Sequence, residues 1–236
     1  MKKPDIRILA SQHLSTIDKD WEALIAAVGT CLHQPKPERE PYEALVRTVA
    51  YQQIHARAAE AILGRLLALH PEKLWPTPEA LLSMDDAILR ACGFSARKTS
   101  TLKSIAAGAI SGLVPSRAQA EQMPEDELIA RLTQLPGIGR WTVEMLLIYT
   151  LERIDIFPVD DFGVREGYRL LKKLDQQPNR KSMHEIGLQY SPYRTIAAWY
   201  LWRALELPDY KRKNKWLFNS ALCPLQMLLL RVSEQP

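Results

Sequence analysis

Apolar residues recur at helical spacing along most of this chain, and that spacing limits the folds open to it. Between Glu125 and Leu135 they fall on one helical face. The same spacing runs through segments 43–69, 95–110, 139–151, 161–174 and 192–205. The one alternating stretch, Ile154 to Val159, is short and interrupted by Pro158, so it is a poor strand. The sequence therefore predicts an all-α protein of roughly ten or more short helices joined by short loops.

Local chemistry marks where several of these helices begin. Thr77 precedes Pro78, which pairs a capping side chain with a proline suited to the first helical position. The pair Asp85-Asp86 precedes another apolar segment in the same way. Pro124 is followed by three acidic residues, which the positive end of a helix dipole favours. We expect helices to begin after Thr77, at Asp85-Asp86 and after Pro124.

Composition places the chain among ordinary globular proteins and leaves a nucleic-acid partner open. The 236 residues are 47% hydrophobic and 25% charged, with a formal net charge of +4. A mildly positive charge permits binding to nucleic acid without requiring it. No apolar run is long enough to span a membrane, and no export signal is visible near the amino terminus. We expect a cytoplasmic protein, associated with the nucleoid if bacterial.

The cysteines exclude one class of metal site. Cys31, Cys92 and Cys223 are far apart and form no closely spaced pair. A four-cysteine zinc or iron–sulfur centre is therefore impossible, and zinc-binding spacings of cysteine and histidine are also absent. We expect reduced thiols.

A glycine turn separates two helical patterns at Pro136-Gly137-Ile138-Gly139. Both glycines can adopt positive φ and allow another backbone to come close, and Ile138 should point into the core. The helix that follows would direct its unpaired N–H groups outward, toward an anion such as a nucleic-acid phosphate. The alternative is an ordinary linker between two helices.

Several segments in a fixed order carry a resemblance to a known family. They are Tyr42–Arg47, Gln52–Ala59, Gly93–Lys98, Leu135–Gly139, Pro158–Arg165 and Pro192–Trp202. Together they resemble the helix-hairpin-helix (HhH-GPD) superfamily of base-excision DNA glycosylases, in its alkylpurine branch, DNA-3-methyladenine glycosylase II. The resemblance extends over residues 40–206.

The resemblance implies a two-lobed helical fold with the active-site cleft between the lobes and no N-terminal sheet domain. Residues 1–40 would form an N-terminal helix and linker, and residues 41–150 a central lobe ending in the helix-hairpin-helix. Residues 151–208 would carry the catalytic aspartate and complete the second lobe with the N-terminal helix. Residues 209–236 form a basic tail, which is either a solvated surface or a phosphate contact.

Two adjacent carboxylates, Asp160 and Asp161, are the candidates for chemistry. Cleavage of an N-glycosidic bond develops positive charge on the sugar, which a fixed carboxylate stabilises. The alkylpurine branch implies that Asp161 is catalytic and that Asp160 caps the next helix. Other branches place the catalytic residue directly after Pro-Val, which would select Asp160, and both acids could be helix caps only.

Trp141 indicates the type of reaction. Relatives that also cut the DNA strand carry a lysine at this position, and its amine forms a Schiff base. Arg140 is no substitute, because a guanidinium stays protonated. We therefore expect a monofunctional hydrolase. An electron-rich ring also attracts a cationic alkylated base, which suits Trp141 as part of the base pocket. The resemblance implies that Trp202 faces the same pocket, with Trp199 as a weaker candidate. Packing in the core is the alternative for Trp199 and Trp202.

The target base must leave the duplex, and the resemblance implies a side chain that fills the gap. Gln53 is the wedge candidate, with Gln52 and His55 beside it in the minor groove. The alkylpurine relatives have an apolar wedge here, so this sequence departs from the pattern. The alternative is that these polar residues cap or bridge helices.

No cofactor is expected to be required. By resemblance alone, the backbone carbonyls of Thr133, Leu135 and Ile138 could hold a structural Na⁺ or K⁺ at the hairpin. The expected partner is double-stranded DNA containing alkylated bases, bound by a monomer with no membrane contact.

The resemblance implies excision of purines of the 3-methyladenine and 7-methylguanine type by base flipping and hydrolysis. The first alternative is a non-catalytic helix-hairpin-helix protein that senses DNA damage. The second is a glycosylase for adenine or thymine mismatches, which the absence of a four-cysteine cluster disfavours.

Overall fold

The computed structural model describes residues 5–70 and 74–208, and these residues form helices, turns and loops without a β-strand. The all-α prediction is confirmed. Thirteen helices in this part of the chain, α1 to α13 in order, have these bounds: Ile6–Ser15, Lys19–Val28, Pro41–Tyr51, Ala56–Ala68, Pro78–Ser83, Asp86–Ala91, Ala96–Ile110, Arg117–Gln122, Glu125–Leu132, Arg140–Tyr149, Phe162–Leu171, Arg180–Leu188 and Arg194–Ala204. None of them is both long and apolar enough to cross a membrane.

The predicted helix starts are confirmed. The Thr77 side chain accepts a hydrogen bond from the Ala80 amide, and Pro78 occupies the first turn of α5. The Asp85 side chain caps α6 by accepting from the Ala87 amide. Helix α9 begins directly after Pro124 with acidic residues in its first turn. These signals are local, so each could be identified without knowledge of the tertiary fold.

The chain divides into two compact units. The first, here called the terminal unit, combines the described residues up to Gln34 with those from Arg153 onward. The second, the central unit, runs from Pro35 to Glu152. The sequence predicts the corresponding domain boundaries at 40/41 and 150/151. The basic tail, 209–236, lies outside the described residues, as does Cys223.

The central unit is built around α3 and α7. Helix α3 packs against α7, α10 and α4, and α5 and α6 pack against α7. Leucine, isoleucine and valine side chains fill the space between these helices, and removing their apolar surface from water stabilises the unit. Fully buried examples are Leu45, Val49, Leu102, Ile105 and Val143.

The terminal unit is built around α13, which packs against α11, α2 and α1. Gly167 of α11 lies so close to the Leu201 carbonyl that a Cβ there would clash with backbone. The contact requires glycine and brings α11 directly against α13. Trp21 and Phe157 both meet the Tyr190 ring edge-on, with centroids 4.9 and 5.5 Å away. The Gly167–Leu201 contact thus packs the helix that Asp161 caps directly against the helix that carries Trp202.

Candidate functional site

Asp161 is the N-cap of α11, and this corrects the prediction that gave the cap to Asp160. The Asp161 backbone is extended, and its Oδ1 accepts a hydrogen bond from the Val164 amide at 2.8 Å. A capping side chain must directly precede the first helical residue, and that residue is Phe162, so only Asp161 has the right register. Asp160 instead pairs with Arg180, whose Nε lies 3.5 Å from Asp160 Oδ1, and both side chains are exposed.

A second donor reaches the same carboxylate oxygen. Trp202 of α13 is buried, with 3% of its surface exposed. Its indole Nε1–H donates to Asp161 Oδ1 at 2.8 Å. Hydrogen bonds to a carboxylate are stronger than those between neutral groups, so a backbone and a side-chain donor together hold the Asp161 carboxylate in one orientation. The structure thus brings together two of the predicted site residues from helices far apart in sequence.

Asp155 braces the loop that leads to Asp161, and sequence reasoning did not find it. Its carboxylate accepts from Ser191 Oγ at 2.8 Å and from Arg194 Nε and Nη2 at 2.8 and 3.0 Å. Partial burial works against ionisation here, but the hydrogen bonds from Arg194 and Ser191 prevail and lower the pKa of Asp155. The sequence feature that could have identified Asp155 is its position as an acidic residue within the otherwise apolar stretch Ile154 to Phe157.

Thr195 makes a second connection between this loop and α13. Its Oγ1 accepts from the Ile156 amide at 3.0 Å and donates to the Arg153 carbonyl at 2.7 Å. Together with the Asp155 ion pair, these bonds tie the approach to Asp161 to the helix that carries Trp202. The Asp161–Trp202 geometry therefore rests on a fixed backbone.

The glycine turn connects α9 to α10 in the central unit. Gly137 has φ +84°, and a Cβ there would clash with Thr101 Oγ1 of α7, so both the conformation and the contact require glycine. Gly139 has φ −98°, and a Cβ there would point into open space. Only one of the two glycines therefore uses positive φ. Ile138 is buried, with 4% of its surface exposed, and anchors the turn in the core.

Helix α10 begins at this turn without a side-chain cap. Gly139 is the N-cap residue and has no side chain to satisfy the amides of the first turn. Arg140 is 44% exposed at its side chain, and its Nε lies 2.9 Å from Oε1 of the buried Glu144. Trp141, also in the first turn, is partly exposed. The positive end of the helix dipole and an adjacent arginine make this a suitable place for an anion.

The wedge candidates lie in the turn between α3 and α4, here called the 52–55 turn. Gln53 is exposed and has φ +57°, a left-handed conformation that is uncommon for a residue with a side chain. Gln52 is half-buried, and its Nε2 donates to Thr142 Oγ1 of α10 at 3.2 Å, so this residue does bridge helices. His55 is the N-cap residue of α4 with an extended backbone.

The described residues contain no group of three or more His, Cys, Asp or Glu side chains able to hold a metal ion. Carbonyl oxygens at the turn after α9 are hard ligands of the kind an alkali cation accepts. Leu135 O already accepts from the Ile138 amide at 3.1 Å, and a carbonyl has a second lone pair. The predicted ligand set of Thr133, Leu135 and Ile138 is therefore chemically suited to Na⁺ or K⁺.

Trp199 packs in the core of the terminal unit, which is the alternative considered for it. It is 2% exposed, the Arg203 guanidinium lies 4.8 Å above its ring, and Tyr200 meets it at 89°. The remaining candidates divide between the units. Asp161 and Trp202 belong to the terminal unit, whereas the glycine turn, Trp141 and the 52–55 turn belong to the central unit.

Comparison with known proteins gives a consistent result. Residues 46–192 match the model of the HhH-GPD superfamily of base excision DNA repair proteins. The chain is 48% identical over 204 residues to DNA-3-methyladenine glycosylase 1 of Schizosaccharomyces pombe, covering 86% of this chain and 90% of that protein. It is 35% identical over 207 residues to the alkylbase DNA glycosidase-like protein mag2 of the same yeast, covering 87% and 96%.

A solved structure agrees with these sequence matches. The S. pombe 3-methyladenine DNA glycosylase Mag1 in complex with abasic DNA superimposes with a TM-score of 0.81 at 48% identity. The match covers 86% of this chain and 98% of that chain.

Proposed function

This chain belongs to the HhH-GPD superfamily of base excision DNA repair proteins, and from that premise we propose that it is a monofunctional alkylpurine DNA glycosylase. It flips 3-methyladenine and 7-methylguanine type bases out of duplex DNA and hydrolyses their N-glycosidic bonds. The single observation that carries the proposal is the Asp161 carboxylate, held through Oδ1 by the Trp202 indole and the Val164 amide. Two S. pombe relatives with alkylbase glycosylase names support the substrate class.

The reaction requires negative charge beside the sugar. The bond between C1′ and the purine nitrogen breaks, and its electron pair leaves with the base and neutralises the cationic ring. Positive charge develops on the deoxyribose, where Asp161 stabilises it electrostatically. A water molecule then bonds to C1′ and gives its proton to Asp161 or solvent. A cationic base is already a good leaving group, so the chemistry needs no general acid.

The reaction stops at the abasic site because the active site offers no amine at the position after the hairpin. That position is Trp141, and the preceding Arg140 is paired with Glu144 through its Nε. Neither side chain can form a Schiff base with the sugar. Base release without strand cleavage follows.

Two aromatic residues are proposed for the base pocket. Trp141 is partly exposed in the first turn of α10, so a cationic purine could stack on its ring. The Trp202 indole N–H donates a hydrogen bond to Asp161, so the orientation of the indole ring is coupled to that of the carboxylate. Trp202 thus has two proposed roles: holding Asp161 in place and forming one wall of the pocket.

The glycine turn and the start of α10 are proposed to bind a DNA phosphate. Gly137 and Gly139 are exposed on either side of the buried Ile138, and the α10 amides with Arg140 supply donors and charge. A Na⁺ or K⁺ on the carbonyls of Thr133, Leu135 and Ile138 would add positive charge near the phosphate. No cofactor is proposed for bond cleavage itself.

The partner is double-stranded DNA with alkylated bases. The complex of the S. pombe Mag1 protein with abasic DNA supports this, since an abasic site is the product of base removal. We propose that Gln53 fills the space left by the flipped base, with Gln52 and His55 beside it in the minor groove. We also propose that the protein acts as a monomer in the compartment that holds the DNA.

The test uses a duplex carrying one 7-methylguanine and a second carrying 3-methyladenine. Purified protein should release free base and leave an abasic site. Borohydride should trap no covalent adduct, and a trapped adduct would contradict the monofunctional assignment. Binding to the lesion without release by the wild-type protein would instead favour a non-catalytic damage sensor.

A further inference from the structure

Lys98 of α7 binds the backbone of the turn that carries the wedge candidates. Its Nζ donates to the Ala50 carbonyl at 2.8 Å and to the Gln52 carbonyl at 2.7 Å. These carbonyls lie at the C-terminal end of α3, where helix carbonyls lack partners within the helix and a cation is favoured. The lysine is half-buried, and two of its N–H groups are used inside the protein.

The turn needs such support because its backbone is strained. Gln53 directly follows Gln52 and has φ +57°, a conformation that persists in a residue with a side chain only when its surroundings enforce it. The Gln52 side chain, bonded to Thr142, is the second tether. Between them, Lys98 and Thr142 hold the backbone and side chain of Gln52 from two different helices.

Helix α7 also supports the hairpin. Thr101, one turn after Lys98, is the residue against which Gly137 packs. Positions three apart share a helix face, so one face of α7 contacts both the 52–55 turn and the glycine turn. Helix α7 therefore sets the spacing between the two segments that we propose to contact DNA.

We propose that Lys98 is a positioning residue for base flipping, which holds Gln53 in the conformation that enters the duplex. The proposal rests on the function given above and on Gln53 as the wedge. Lys98 acts through the backbone of the turn and does not bind phosphate. Burial also lowers the pKa of Lys98, as expected for an ammonium removed in part from water.

The first test compares Lys98→Met with Lys103→Met. Lys103 is on the same helix and pairs with Asp86 at 2.6 Å, so its loss removes the same charge without touching the 52–55 turn. In single-turnover excision of 7-methylguanine, Lys98→Met should be slower by about 10- to 100-fold, the scale expected for a misplaced positioning group. Lys103→Met should be within about twofold of wild type, since it lies away from the turn. Equal rates for the two variants would overturn the proposal.

Salt dependence separates positioning from phosphate binding. A lysine that binds phosphate lowers the slope of log affinity against log salt by about 1 when it is removed. Lys98→Met should leave the slope for undamaged duplex unchanged. A reduced slope would assign Lys98 to the DNA interface and overturn the positioning role.

A double-mutant cycle tests whether Lys98 acts through Gln53. Lys98→Met should slow excision strongly in the wild-type background and by less than about twofold in a Gln53→Ala background, because coupled residues are not additive. The same slowing in both backgrounds would overturn the proposal. If thermal melting shows that Lys98→Met is unfolded, Lys98→Arg replaces it in the cycle. The excision rate should then fall by a smaller factor, and this fall should again depend on the presence of Gln53.

The outcomes distinguish this proposal from the proposed function. No base release by the wild-type protein would contradict the function itself. Normal release by the wild-type protein, with Lys98→Met as active as Lys103→Met, would contradict only the role of Lys98.

Discussion

The starts of helices α10 and α11 differ in how the amide groups of the first helical turn are capped. Helix α10 begins at Gly139, which has no side chain to cap it, whereas α11 begins at Asp161, whose own carboxylate accepts the Val164 amide. Both starts have amides that need an acceptor. The N-cap residue of the first provides no side-chain acceptor, whereas the N-cap carboxylate of the second is held by the Val164 amide.

The difference shows how one physical device serves both binding and chemistry. An open helix start attracts a phosphate because the dipole and amides favour negative charge. A closed start orients a carboxylate, and Trp202 adds a second donor to the same oxygen. A substitution at the start of α10 should therefore weaken DNA binding, whereas a substitution at the start of α11 should slow base release.

The largest effect is expected for Asp161→Asn. Asparagine keeps an oxygen that can cap α11, so the variant should fold, but it removes the negative charge that stabilises the sugar cation. The single-turnover rate of base release should fall by roughly 1000-fold or more, with little change in DNA affinity.

Asp160→Asn is the matched control, because Asp160 is exposed and pairs only at 3.5 Å with an exposed arginine. Its rate should stay within about threefold of wild type, as for a surface substitution. A severe loss in Asp160→Asn with an active Asp161→Asn would move the catalytic role one residue back.

Trp202→Phe should have the next largest effect. Phenylalanine keeps an aromatic ring but removes the N–H that donates to Asp161 Oδ1 at 2.8 Å. The rate of excision at saturating enzyme should fall by about 10- to 100-fold, because the carboxylate loses part of its orientation. Trp199→Phe, on the same helix, is the control for lost packing. An equal fall in both variants would indicate that packing, and not the hydrogen bond, is responsible.

Gly139→Asp would convert the open helix start into a closed one. The backbone is compatible, since φ is −98° and a Cβ would meet open space. The new carboxylate should cap α10 and repel phosphate, so affinity for duplex DNA should fall by about tenfold while stability is kept or rises by a few tenths of a kcal/mol. Gly139→Ala, which adds a side chain without charge, should bind nearly as wild type. Unchanged affinity in Gly139→Asp would argue against phosphate binding at this turn.

The smallest effect concerns pH and the brace at Asp155. Its pKa in the folded protein is lowered from 3.8, so its stabilisation is present above that pH and is lost as the pH falls through the lower, folded value. Asp155→Asn should lower the free energy of unfolding by about 1–2 kcal/mol near neutral pH, allowing for partial exposure. The difference between the urea unfolding midpoints of the wild-type protein and Asp155→Asn should become smaller below about pH 4. A difference that is constant with pH would contradict a role for the ionised side chain.

Features that depend on neighbouring residues were predictable from the sequence. The caps at Thr77 and Asp85 and the burial of Ile138 follow from short-range rules. Gly137 was predictable as a turn residue, but its contact with Thr101 was not, since that contact depends on how α7 packs.

The carboxylate environment was harder to predict. Assigning the cap to Asp160 was wrong by one residue, because the sequence does not set the register at which α11 begins. The indole bond from Trp202 to Asp161 and the brace at Asp155 join residues that only the tertiary fold brings together. The hydrogen bonds from Lys98 to the 52–55 turn and the end of α3 were also unpredictable, because their acceptors are backbone carbonyls, which leave no signal in the sequence.

The most direct test titrates Asp161→Asn and Gly139→Asp against one 7-methylguanine duplex under single-turnover conditions. The titration gives the half-saturating concentration and the maximal rate together. The account predicts that Asp161→Asn loses the maximal rate and keeps half-saturation, whereas Gly139→Asp raises half-saturation and keeps the maximal rate. If both variants change the same parameter, either the maximal rate or the half-saturating concentration, the claim that the start of α10 binds DNA and the start of α11 serves catalysis is contradicted.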